Sequence, residues 1–209
     1  MRLIPTFLYD VLVAIADTMT KLLVRIGLSA DVITLLGFLF GAAAAALFVL
    51  GLPFWALVAG VASALFDGVD GRVAAATNRK TRFGAMLDST LDRYVDFFIF
   101  GALMYHFRGR WPVLLAFAAL VGAVMVSYTR ARAEGLGIDC RGGIMQRPER
   151  LILFGLAMVG GLVFRDLDTA WIIVLAVIAL GSQITALQRL FLVRRRDREA
   201  TEAGTEVPS

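Results

Sequence analysis

The chain has 209 residues, 59% of them hydrophobic and 18% charged, with a mean hydropathy of +0.77. That composition excludes an ordinary soluble domain and identifies an integral membrane protein, because runs of about 20 apolar residues recur along it. The net charge of +4 carries no nucleic-acid signature, since the basic residues gather at the ends of apolar runs, and the one cysteine, Cys140, excludes an intrachain disulfide.

Residues 1–28 place Asp10, Asp17, Lys21 and Arg25 at intervals among apolar residues, which predicts an amphipathic helix lying along the membrane interface. Interrupting acids and the lack of a small-residue cleavage site argue against a signal peptide. Spans are expected at 31–51, 53–75, 84–106, 112–133, 149–165 and 169–192. The fold class is therefore all-α integral membrane, six transmembrane helices forming a catalytic domain over 29–193 after the interfacial helix. The tail, 194–209, is polar and expected to be disordered. Arg79, Lys80 and Arg82, then Arg141, Arg147 and Arg150, then Arg194, Arg195, Arg196 and Arg198 fall on one side of this topology, which puts both termini in the cytoplasm of a cell inner or plasma membrane. Arg108, Arg110 and Arg165 fall on the other side. The small-residue run 41–46 marks close helix packing, within or between subunits.

Four aspartates, Asp67, Asp70, Asp88 and Asp92, lie where the second and third spans meet. A carboxylate in the hydrocarbon layer costs roughly 2.5–3.5 kcal/mol even on a lenient insertion scale, so four together require a compensating charge. Asp67 and Asp70 are i, i+3 on one helix, and Asp88 and Asp92 are i, i+4 on the next, so each helix presents a pair on one face. The short link from about Ala76 to Phe83 makes the helices antiparallel and lets the pairs converge. Oxygen donors with no Cys or His nearby select magnesium or manganese over zinc, and two such ions about 3.5–4 Å apart can share the ligand set. Asp96 continues the same face of the third span.

Asp67, Asp70, Gly71, Ala74, Gly84, Asp88 and Asp92 together resemble the signature of the CDP-alcohol phosphotransferases, D-x2-D-G-x2-A-R-x8-G-x3-D-x3-D, at seven of its eight fixed positions and without gaps. The departure is Ala75, where the pattern has arginine. Arg72, or Arg79 and Arg82 in the following loop, are candidates for the missing charge. The run from Leu28 to Thr34 is similar to the family's L-S/T-P-N/D-x-x-T start of the first span, with Ala30 in place of proline. Ser29 or Asp31 is also a natural N-cap there, so Asp31 has two readings.

The resemblance implies transfer of a substituted phosphate from a CDP-linked donor, a CDP-diacylglycerol-type lipid, to an alcohol, with release of CMP. It implies that Asp67, Asp70 and Asp88 hold two divalent cations, Mg2+ or Mn2+, while Asp92 acts as general base and also touches metal. Asp31, Gly71, Ala74, Arg79, Arg82 and Gly84 are then the CDP-binding set, the two glycines allowing the nucleotide to approach the backbone. A homodimer is expected by resemblance alone.

A second constellation, SYTRARAE followed by CRGGIMQRPER, holds five arginines at the ends of the fourth and fifth spans. Pro148 fits the first turn of the fifth helix, where Arg147 and Arg150 flank a phosphate-suited helix start. Arg141 reads as a contact to lipid phosphates. Arg130, Arg132, Arg147 and Arg150 are similar to the branch of the family that makes phosphatidylinositol phosphate or its archaeal-lipid counterpart. The acceptor implied is a phosphorylated polyol, inositol 1-phosphate first and glycerol 3-phosphate, as in phosphatidylglycerophosphate synthesis, second. An ion-coupled transporter is the alternative from another class, disfavoured because no internal repeat is visible.

Overall fold

The computed structural model describes residues 6–140 and 142–202, so Arg141 lies outside the described residues. Among these there are seven helices and no strand: α1 Thr6–Ile26, α2 Ala30–Val49, α3 Pro53–Ala76, α4 Arg82–His106, α5 Pro112–Gly135, α6 Arg147–Phe164 and α7 Leu167–Glu202. Helices occupy all six expected span positions. By length and apolarity, however, only α2, α3, α5 and α7 qualify as membrane-crossing among the described residues. The others fail for a physical reason: α4 carries Asp88, Asp92, Arg93 and Asp96, and the 18 residues of α6 include Arg147, Glu149 and Arg150.

Local chemistry sets the helix ends. Ser29 caps α2 by accepting the Val32 N–H at 3.4 Å. Proline starts α3 and α5 at their first turns, where the missing N–H is harmless. α6 begins with a capping box in which Gln146 and Glu149 satisfy each other's backbone N–H, with Pro148 in the first turn as expected. Arg165, in the left-handed region at φ 57°, closes α6, and Asp166 accepts the Thr169 N–H at 3.0 Å to open α7. That bond holds the Asp166 carboxyl below its ordinary pKa. α7 has 36 residues, about 54 Å at the usual helical rise, and so outruns a hydrocarbon layer of about 30 Å. It continues as helix through the arginine run to Glu202, where disorder was expected from Arg194 onward.

The chain divides into two compact units, one ending at Ile99 and one beginning at Phe100. In the first, α3 packs against both α2 and α1 around a core of Leu23, Ile33, Val69 and Val73. Gly37 and Gly41, one turn apart, let α2 approach its neighbours: Ser63 donates to the Gly37 carbonyl at 2.7 Å, and a Cβ at Gly41 would stand 2.8 Å from both methyls of Val95. Gly41, Ala44 and Ala45 of the small-residue run are thus buried by packing within the chain. In the second unit α7 packs against α5 and α6, with Phe100, Phe154 and Trp171 forming an aromatic core. Gly122 admits Ser182 at a distance that leaves no room for a side chain, 2.7 Å from a would-be Cβ.

Candidate active site

α3 delivers Asp67 and Asp70 one helical turn apart, and α4 delivers Asp88 and Asp92 in the same way after the short loop between them. Among the described residues, the carboxylates of Asp67, Asp88 and Asp92 each place an oxygen within 4.8 Å of the others, all three half-buried. Three like charges so close repel strongly unless a cation lies among them. Hard, anionic oxygen donors from two rigid helices fit a divalent cation of the magnesium or manganese kind. Arg93 stands 3.5 Å from the Asp92 carboxylate, a long ion pair.

Asp70 lies outside this trio. It is 7% exposed and accepts a hydrogen bond from the Thr34 hydroxyl at 2.7 Å, which ties α3 to the first turns of α2. Together with Asp88 it lines a cavity of about 460 Å³ in the first unit. The walls come from α2 through Asp31 and Thr34, from α3 through Asp70, Gly71 and Ala74, from the loop through Arg79, Lys80 and Thr81, and from α4 through Gly84 and Asp88. Of the expected CDP-binding set, Asp31, Gly71, Ala74, Arg79 and Gly84 line this cavity. Arg82 does not; it is the exposed first residue of α4.

The two motif glycines serve different purposes. A Cβ at Gly71 would meet nothing within 4 Å, so this residue leaves the cavity wall open to a ligand. A Cβ at Gly84 would lie 3.1 Å from both an Asp31 carboxylate oxygen and the Thr81 hydroxyl, which itself accepts the Gly84 N–H at 2.9 Å. The close partner at Gly84 is therefore a side chain of the protein. The same observation separates the two readings of Asp31, because Ser29 caps α2 while Asp31 faces the cavity. Arg72 is engaged elsewhere, in an ion pair of 2.5 Å with Asp17 on α1, and Ala75 is exposed without lining the cavity.

In the second unit the capping box at the start of α6 fixes Arg147, half-buried, and Arg150, 1% exposed. Arg130 is exposed on α5 and paired with Glu134 at 2.8 Å, and Arg132 is exposed in the last turn of that helix. A residue absent from the expected site lies near two of these arginines: Arg189 of α7, 2% exposed, is within electrostatic range of Arg130, Arg150 and Glu134. Its Nε donates to the Gly142 carbonyl at 2.9 Å and its Nη1 to the Val126 carbonyl. One turn earlier, the Thr185 hydroxyl accepts the Met145 N–H at 2.9 Å. α7 thus holds the segment that leads into the first turn of α6. The sequence did carry a signal for Arg189, a guanidinium inside the apolar run 169–192, where the reasoning applied to the aspartates holds equally.

The chain is similar to known proteins in both sequence and structure. The sequence model of the CDP-alcohol phosphatidyltransferases matches residues 28–178. The chain is 43% identical over 175 residues to the archaetidylinositol phosphate synthase of Methanothermobacter thermautotrophicus, across 82% of this chain and 86% of that protein. It is 39% identical over 178 residues to the phosphatidylinositol phosphate synthase of Mycobacterium tuberculosis, across 82% of each. The crystal structure of the Mycobacterium tuberculosis phosphatidylinositol phosphate synthase with CDP-DAG bound superposes with a TM-score of 0.76 at 36% identity, covering 85% of this chain and 92% of that one. A second crystal structure of that enzyme, in complex with manganese and citrate, matches with the same TM-score, over 85% and 88% of the two chains.

Proposed function

The chain belongs to the CDP-alcohol phosphatidyltransferase family, and from that premise we propose that it moves a phosphatidyl group from CDP-diacylglycerol to inositol 1-phosphate, releasing CMP. The observation that carries this reading is the trio of carboxylates on α3 and α4, set in the same short stretch as a cavity walled by the motif residues. Relatives named for inositol phosphate acceptors support the choice of alcohol.

Asp67, Asp88 and Asp92 would hold divalent metal, with Asp70 completing the set from the cavity wall. When bound, two Mg2+ or Mn2+ ions supply neutralisation of the diphosphate and of the charge that grows on the leaving phosphate. Asp92 takes the proton of the acceptor hydroxyl as its oxygen attacks the phosphorus bonded to the diacylglycerol oxygen. The bond from that phosphorus to the bridging oxygen breaks, and the electron pair leaves with CMP. Asp31, Gly71, Ala74, Arg79 and Gly84 orient the cytidine diphosphate head. Arg130, Arg132, Arg147 and Arg150 bind the phosphate that the acceptor already carries, since planar guanidinium groups match phosphate oxygens in pairs.

This reading places six helices across the membrane after an interfacial α1, with both termini and the basic loops cytoplasmic, as the distribution of arginines favours. It includes a homodimer, for which the run 41–46 supplies no support because its buried members pack within the chain. The test is CMP release by the purified protein from CDP-diacylglycerol with magnesium or manganese, comparing inositol 1-phosphate, glycerol 3-phosphate and free inositol. Release only with inositol 1-phosphate is the expected result. Release with glycerol 3-phosphate instead would keep the transfer chemistry and overturn the acceptor, and no release with any acceptor would overturn the reading.

A further inference from the structure

We propose that Lys80, acting with Arg79, supplies the cationic contact to the donor diphosphate that position 75 lacks. This rests on the transferase reading above and adds to it a residue outside the family motif. Ala75 is uncharged, exposed and absent from the cavity wall. Three carboxylates, Asp31, Asp70 and Asp88, face the cavity, so a diphosphate entering among them meets strong repulsion unless cations lie on the same wall. Arg72 does not serve, since Asp17 holds it on the α1 side, and Arg82 is not part of the wall. The cations that line the cavity are Arg79 and Lys80.

The end of α3 puts them there. The Asn78 N–H bonds back to the Ala75 carbonyl at 3.2 Å and the Arg79 N–H to the Ala74 carbonyl at 2.9 Å, with Asn78 in the left-handed region at φ 53°. This pair of bonds is the closure that usually uses glycine at the left-handed position, and asparagine is the side chain that tolerates it best. It reverses the chain over the last turn of α3, so that residues 79 and 80 follow the carbonyl end of the helix onto the cavity wall. A cation there also complements the negative end of the helix dipole. Lys80, a compact charge on a long flexible stem, shares the cavity lining with Asp31, Asp70 and Asp88, so its charge offsets theirs toward an anionic ligand. The charge has moved about one turn along the chain, from the helix to the loop.

The experiment compares Arg79→Gln, Lys80→Gln, the double variant and the double variant carrying Ala75→Arg. Binding of CDP in the presence of Mn2+ is followed by calorimetry, and KM for CDP-diacylglycerol and for the acceptor by CMP release. Each single change is expected to weaken CDP binding by about tenfold, the equivalent of about 1.4 kcal/mol, with the acceptor KM unchanged. Ala75→Arg is expected to restore most of the loss in the double variant. Equal melting temperatures across the set keep the comparison free of folding effects. Unchanged CDP affinity in the double variant overturns the assignment, and a loss that Ala75→Arg leaves uncorrected overturns the exchange of positions. An unaltered chain that binds CDP yet releases no CMP with any acceptor would instead break the transferase reading alone.

Discussion

The acidic group of the first unit and the arginine group of the second are assembled in opposite ways. Asp67, Asp88 and Asp92 come from two consecutive helices joined by a short loop, and helical periodicity together with that link brings them within 4.8 Å of one another. The arginines come from α5, α6 and α7, and their arrangement depends on contacts distant in sequence: Arg189 on Gly142 and Val126, Thr185 on Met145. A site of the first kind tolerates little chemical change but needs little support. One of the second kind is sensitive to residues that never touch the ligand.

The sharpest break in this contrast is Asp92→Asn. It is isosteric, so the helices and the cavity persist, while the general base is lost; turnover should fall by about 10²- to 10⁴-fold with binding of the CDP-lipid largely retained. Normal turnover in that variant would remove Asp92 from the chemistry. Next in size is Arg150→Leu, which removes a buried guanidinium from the first turns of α6. Its expected signature is a rise in the acceptor KM of about ten- to a hundredfold while the donor KM stays put. Equal shifts in both would return Arg150 to a structural role.

The same contrast explains what was legible in the sequence. The pairing of the motif aspartates on two helix faces was readable from local spacing, whereas Gly71, Gly84 and Asp31 entered through the resemblance to the family. Local rules also placed Pro148 in the first turn of the fifth span and the end of that span at residue 165, while the capping box of Gln146 and Glu149 came only from the structure. Asp70 shows where such rules stop: its spacing matches that of a metal ligand, while the hydrogen bond it accepts from Thr34, 36 residues away, could not be read from local pattern. Lys80 was named only as part of a basic loop, because nothing in the order of residues reveals that Asn78 takes a left-handed turn. Arg189 was passed over inside a run read as plain span. Among the described residues, length and apolarity mark four of the six expected spans, because α4 and α6 keep helical length while carrying charged residues within it.

Arg189→Met tests whether support can be separated from contact. Losing the bonds to Gly142 and Val126 should lower the melting temperature and raise the acceptor KM together, while Arg189→Lys, which retains charge but loses the fork, should recover stability only in part. An acceptor KM that rises without any loss of stability would make Arg189 a ligand instead of a support. On the other side of the contrast, Gly41→Ala forces a Cβ to within 2.8 Å of Val95 and should cost about 1–3 kcal/mol of stability, relieved by Val95→Ala, without a change in either KM.

The smallest effect is expected at Arg72, and it bears on the largest departure from the family pattern. Arg72 and Asp17 have side chains 41% and 55% exposed, so their ion pair belongs to the weak surface class, worth about 0–1 kcal/mol, despite its short distance. Arg72→Gln should therefore leave stability nearly unchanged. The donor KM should also hold, because the guanidinium faces α1 and has no place on the cavity wall. A donor KM that rises with Arg72→Gln as much as with Lys80→Gln would mean that the Asp17 pair opens when the nucleotide binds. The charge missing at position 75 would then be supplied from within α3, one turn before the vacant position, and the loop would be left with the weaker share.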